Sequence, residues 1–143
     1  MTAGAGVVIR PSIRRALVDH ALQASPEECC GLLVGTDRQV LSAVPSPNIA
    51  ARTGRYRVDD RLHLELRRAL RKLAPKTSVS GAYHSHPTGS AWPSERDITE
   101  AYSRDWLHVI VGLGSSRPMI RAFRIVEGQV HPVPISWREG LAS

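Results

Sequence analysis

Apolar positions along this chain recur with two periods, and the change of period marks its elements. Ile13, Ala16, Leu17, His20 and Ala21 follow the i, i+3, i+4, i+7, i+8 pattern of one helix face. Pro11 suits the first turn of that helix, and Ser25-Pro26 closes it. His20 falls on the packed face and reads as a core side chain rather than a ligand. A second helix is expected over residues 61–73, with Leu62, Leu66, Ala69, Leu70 and Leu73 on one side. Asp59 or Asp60 can cap it, and Pro75 stops it. Residues 7–10 form a short apolar run that can open a sheet. Residues 29–35 are continuously small or apolar, which suits a strand buried on both faces. Residues 39–44 are its hairpin partner across Thr36-Asp37-Arg38. Residues 45–54 read as a loop and 56–58 as a brief strand. Further strands are expected at 78–86, 107–113, 119–126 and 129–135, the last two as a hairpin across Glu127-Gly128. A third helix spans 94 to about 103. The sequence shows no repeat and no dividing linker, so residues 1–143 are expected to form one domain, with 1–6 as a loose lead. This order predicts an α/β (α+β) domain: a single mixed β-sheet with about three helices packed on it.

Composition narrows the class. A chain of 143 residues is about one domain and can bury about two-thirds of its unfolded surface. Hydrophobic content of 42% with 22% charged residues is that of an ordinary globular protein. No apolar run approaches the roughly 20 residues that span a bilayer. Residues 1–8 have neither the basic start nor the apolar core of a signal peptide, so a cytoplasmic location is expected. The only cysteines, Cys29 and Cys30, are adjacent. Neighbours in a strand point to opposite faces, so they read as buried, reduced packing residues. The net charge of +6 raises a nucleic-acid partner. However, Arg61, Arg67, Arg68, Arg71 and Lys72 alternate with the leucine stripe, as on a solvated helix face. An acidic protein partner could use the same surface.

The candidate chemistry lies between Tyr83 and Asp97. His84 and His86 are two apart at the end of a strand pattern, so both imidazoles leave one face. Ser94 and Asp97 form a Ser-x-x-Asp helix start ahead of Ile98, Ala101 and Tyr102, with Ser94 at the cap. Pro87, Gly89 and Pro93 fix the route between strand and helix. Two imidazoles and a carboxylate are ligands zinc accepts, with a fourth position left for water. Glu27 and Glu28 stand just before the buried strand. They read either as solvated loop residues or, for Glu28, as a general base at the site.

These residues resemble the JAMM (MPN-plus) metallopeptidases. Glu28 stands three before Gly31, and His84-Ser85-His86-Pro87 is followed by six residues, Ser94, two residues and Asp97. Every position of the family motif is present at the family spacing. The resemblance implies a JAMM/cytidine-deaminase-like architecture and one Zn2+ per chain, held by His84, His86 and Asp97. It further implies that Glu28 takes a proton from the attacking water and that Ser94 hydrogen-bonds the oxyanion. The zinc deaminases are the nearest rival by chemistry, but their Pro-Cys-x-x-Cys element is absent. Only seven residues separate His86 from Ser94, and this brevity is similar to the small prokaryotic members. Those act on ubiquitin-like sulfur-carrier proteins at the C-terminal Gly-Gly, releasing a terminal residue or an amino acid such as cysteine. The alternative is a non-catalytic binding module for a ubiquitin-like partner or a complex subunit. Trp92 and Tyr83 could each contact substrate or simply pack.

Overall fold

The computed structural model describes residues 6–50, 54–101 and 103–140. Except for Gly6, the expected loose lead lies outside them. The chain runs β1 (Val7–Ile9), α1 (Pro11–Ala24), β2 (Cys30–Gly35), β3 (Gln39–Ser46), α2 (Asp60–Leu73), β4 (Ser78–His86), α3 (Glu95–Thr99), β5 (Leu107–Gly112), β6 (Met119–Val126), β7 (Gln129–Val133) and β8 (Ile135–Trp137). The strands form one mixed sheet in the order β7-β6-β5-β4-β2-β3-β1-β8. β2 pairs antiparallel with β3 and β4, while β4 and β5 run parallel, so their connection must cross over and carries α3.

β7 and β8 occupy opposite edges of the sheet, yet only Pro134 separates them in sequence. Two backbone steps span at most roughly 7 Å. The sheet is therefore rolled until its edges nearly meet. The roll wraps α1, whose Ile13, Leu17 and Ala21 join a buried cluster that draws side chains from every strand from β1 to β7.

The opposite face is divided. Leu32, Val79, Ala82 and Trp106 form one small cluster beneath Leu66 and Leu70 of α2. Ala91, Ile110 and Phe123 form another. A register shift between Leu33 and Val34 breaks the β2–β4 alternation, which is how Val79 joins Ala82 on this face. Gly31 is required at the centre of β2, because a Cβ there would collide with the Tyr83 ring and stand 2.5 Å from the Val44 carbonyl oxygen.

Three expectations need correction. The third helix ends at Thr99 rather than near Ser103: the chain leaves it to bury Trp106, whose N–H donates to the Ser103 carbonyl at 3.1 Å. Tyr102 lies outside the described residues. Residues 56–58 make no strand but a single bridge between Val58 and Asn48. The last expected strand is two: Pro134 has no N–H to continue the ladder to β6, and Ile135–Trp137 pairs instead with β1 at the far edge.

Candidate metal centre

β4 delivers His84 and His86, the short helix α3 delivers Asp97, and the approach to β2 delivers Glu28. His84 Nε2 lies 3.0 Å from His86 Nε2, and Asp97 Oδ2 lies 3.2 Å from each. Three lone-pair donors this close repel one another unless a cation, a proton or a metal ion, sits among them. Burial would lift the Asp97 carboxyl, but the two imidazoles outweigh it and hold the group far below the usual carboxylate range. Burial likewise disfavours charge on His86, yet Asp97 and the Ser90 carbonyl prevail and raise it above its ordinary value. The donor atoms of Glu28, His84 and His86 all lie within 4.8 Å of one another. Glu28 is half-buried, and desolvation raises its carboxyl above the ordinary value against the pull of His84 and His86.

The surrounding residues fix each of these groups. His86 Nδ1 lies 2.8 Å from the Ser90 carbonyl oxygen, so its N–H donates there and the Nε2 lone pair faces the cluster. The ring of Tyr56 stacks on that of His84 at 4.1 Å and 13°. Ser94 and Asp97 form a complete capping box: Ser94 N–H donates to Asp97 Oδ2 at 2.9 Å, and Asp97 N–H donates to Ser94 Oγ at 3.1 Å. The box that starts α3 thus aims the carboxylate at the histidines. The Cys29 N–H donates to Ser85 Oγ at 2.9 Å, and the Ser85 N–H returns to the Cys29 carbonyl at 3.1 Å, tying the residue after Glu28 to β4. Asn48 Nδ2 donates to the carbonyls of Glu28 and Arg55, and its Oδ1 accepts from the N–H of Ala50 and Arg57.

All five residues singled out in the sequence therefore meet at one cleft. Glu28, His86, Ser94 and Asp97 line it directly, and buried His84 contacts two of them, His86 at 3.0 Å and Asp97 at 3.2 Å. Tyr83 does not reach it: the ring is buried, and its hydroxyl lies 2.7 Å from His20 Nδ1, so both are packing residues. Trp92 stands edge-on to Phe123 beside a separate cavity shared with Met119 and Arg121. Cys29 and Cys30 are buried and free, with the Cys30 thiol pushed up to about 12 by desolvation. Tyr56 and Asn48 went unrecognised in the sequence. The signals were a lone amide within the polar, proline-bearing loop and a lone aromatic at the start of the brief strand expected after it. His108 was missed as well; it is buried behind His84 with no partner for Nε2 among the described residues, and burial lowers it to about 4.

The rolled sheet and this convergent donor set define a mixed α+β domain with a metal-capable cleft. The chain belongs to the prokaryotic homologs of the JAB domain, whose family description matches residues 10–126. It is 33% identical over 134 residues to a CysO-cysteine peptidase of Mycobacterium tuberculosis, covering 91% of this chain and 90% of that protein. It is 39% identical over 112 residues to a probable TtuB-protein conjugate cleaving protease of Thermus thermophilus, covering 77% of this chain and 70% of that protein. Among solved structures, protein DSY2949 of Desulfitobacterium hafniense superposes with a TM-score of 0.83 at 28% identity, over 94% of both chains. The JAB1/MPN domain protein AF2198 of Archaeoglobus fulgidus shares the fold with a TM-score of 0.59 at 21% identity, over 93% of this chain and 99% of that one.

Proposed function

We propose that this chain is a zinc-dependent peptidase. It hydrolyses the amide bond that follows the C-terminal Gly-Gly of a ubiquitin-like sulfur-carrier protein, releasing a terminal residue or a joined amino acid such as cysteine. The observation that carries this reading is the convergence of His84, His86 and Asp97 within 3.2 Å, with Glu28 beside them. The peptidases among its relatives support the substrate class.

Asp97 is the closer carboxylate to both histidines and completes the ligand set, which leaves Glu28 free to move protons. Zinc held by His84, His86 and Asp97 supplies Lewis-acid polarisation of the scissile carbonyl and acidifies water. Glu28 accepts a proton from the attacking water and returns it to the leaving amine, a role worth about 10²–10⁴ in rate. Desolvation raises its carboxyl, the direction that general acid–base work favours. Ser94 Oγ already accepts from the Asp97 N–H, so its own proton remains to be donated to the oxyanion, worth about 2.7–4 kcal/mol. No side-chain nucleophile takes part, and two buried cysteines suit a reducing, cytoplasmic setting. Residues 1–143 act as one domain with one zinc.

The test uses zinc-loaded protein and a carrier bearing one residue beyond Gly-Gly, read by intact mass. Glu28→Ala keeps zinc and melting temperature but loses cleavage, and His86→Ala loses both zinc and cleavage. A fully active Glu28→Ala variant would sink the mechanism.

A further inference from the structure

The cleft over Glu28 and Asp97, about 440 Å³ in volume, is also lined by two arginines, Arg55 and Arg96. Arg96 lies on α3 between Ser94 and Asp97, close enough for its charge to pull on the Glu28 carboxyl. Arg55 lines the cleft as well, and Asn48 holds its carbonyl at 2.9 Å and the Glu28 carbonyl at 3.0 Å. One amide therefore fixes the backbones of Arg55 and Glu28 relative to each other.

Neither guanidinium has a hydrogen-bond or ion-pair partner among the described residues. Arg57 and Arg61, close by in sequence, each have an acid: Arg57 pairs with Asp60 at 2.7 Å, and Arg61 with Glu65 at 3.2 Å. Among the described residues the acids lining the cleft are Glu28 and Asp97, and the peptidase reading commits both, to the proton and to the metal. Two arginines without a partner therefore border the cleft proposed for substrate, where an anion carried by the substrate would pair with them.

We propose that Arg55 and Arg96 bind the free α-carboxylate of the residue being released, so that the cleft selects a chain end. The inference rests on the peptidase reading and adds which bond that peptidase accepts. A single residue joined to Gly-Gly places its carboxylate about one residue length, roughly 3.5 Å, beyond the scissile amide. An isopeptide-linked lysine places an aliphatic stem and a protein body there instead. A guanidinium presents two parallel N–H donors that match a carboxylate, and hydrogen bonds of this charged kind are the stronger ones.

The experiment uses the full-length, zinc-loaded chain and a ubiquitin-like carrier protein extended past Gly-Gly by one alanine. The alanine ends either as a free acid or as a carboxamide, and kcat/KM is measured for each. The acid is cleaved on the order of tenfold faster, the size of one charge-assisted hydrogen bond. In the Arg55→Ala/Arg96→Ala double variant, checked for an unchanged melting temperature and zinc content, the acid-to-amide ratio falls to near one. A ratio near one in the parent overturns the inference and leaves the peptidase reading intact. So does a ratio that survives in the double variant, which would place recognition of the carboxylate on other groups. If the zinc-loaded parent cleaves neither substrate, the peptidase reading fails and this inference fails with it.

Discussion

The two faces of the rolled sheet are built on opposite principles, although the same strands supply both. Towards α1, Leu33, Tyr83, Val109 and Val111 close into one continuous dry cluster. On the other side the apolar surface is split, with Leu32, Ala82 and Trp106 in one patch and Ala91, Ile110 and Phe123 in another. The histidines of β4 and β5 (His84, His86 and His108) alternate with Tyr83, Val109 and Val111 of the first face and so fall on the second. One face supplies rigidity without chemistry. The other gives up a continuous core and in exchange holds groups that an apolar layer would exclude. A metal-binding cluster needs both, since its donors must be held against mutual repulsion by a frame that does not yield.

The comparison predicts that substitutions on the two faces fail differently. His84→Ala, on the open face, removes one of the three proposed zinc ligands. Turnover should fall by more than the about 10²–10⁴ expected from losing Glu28 alone, and bound zinc measured by elemental analysis should fall with it. The melting temperature should stay close to that of the metal-free parent. Leu33→Ala, on the dry face, should cost about 2–5 kcal/mol in chemical denaturation and leave zinc stoichiometry at one. If it instead releases zinc without loss of stability, the division of labour between the faces is wrong. Ser94→Ala acts at the seam. It should lower kcat by about 10²–10³ through the oxyanion, while the lost cap costs about 1 kcal/mol. A stability loss with no change in kcat would make Ser94 a cap alone. Tyr83→Phe is the mildest: losing the bond to His20 should cost about 1 kcal/mol, with kcat/KM unchanged.

Much of this was legible because the decisive residues are local. The period of two at residues 78–86 puts His84 and His86 on one face, and Ser-x-x-Asp is a helix start whether or not it serves a metal. Glu28 is harder to read, since its meaning depends on β2 and β4 lying side by side. Only the family resemblance lifted it above a solvated loop residue. What escaped was non-local. β8 pairs with β1, a partner more than a hundred residues away in sequence, and no period within 129–135 announces that switch. Tyr56 and Asn48 act by stacking on His84 and by bridging the Glu28 and Arg55 carbonyls, contacts that the tertiary fold alone creates. The end of α3 is set by the burial of Trp106 and not by any stop signal in the helix.

If His84, His86 and Asp97 grip one zinc ion, X-ray absorption at the zinc edge of the loaded protein reads those ligands out. Two imidazole rings are expected, with nitrogen and oxygen scatterers at about 2.0–2.2 Å and no sulfur. A sulfur shell at about 2.3 Å, which would draw in Cys29 or Cys30, or a spectrum without imidazole scattering, would contradict it.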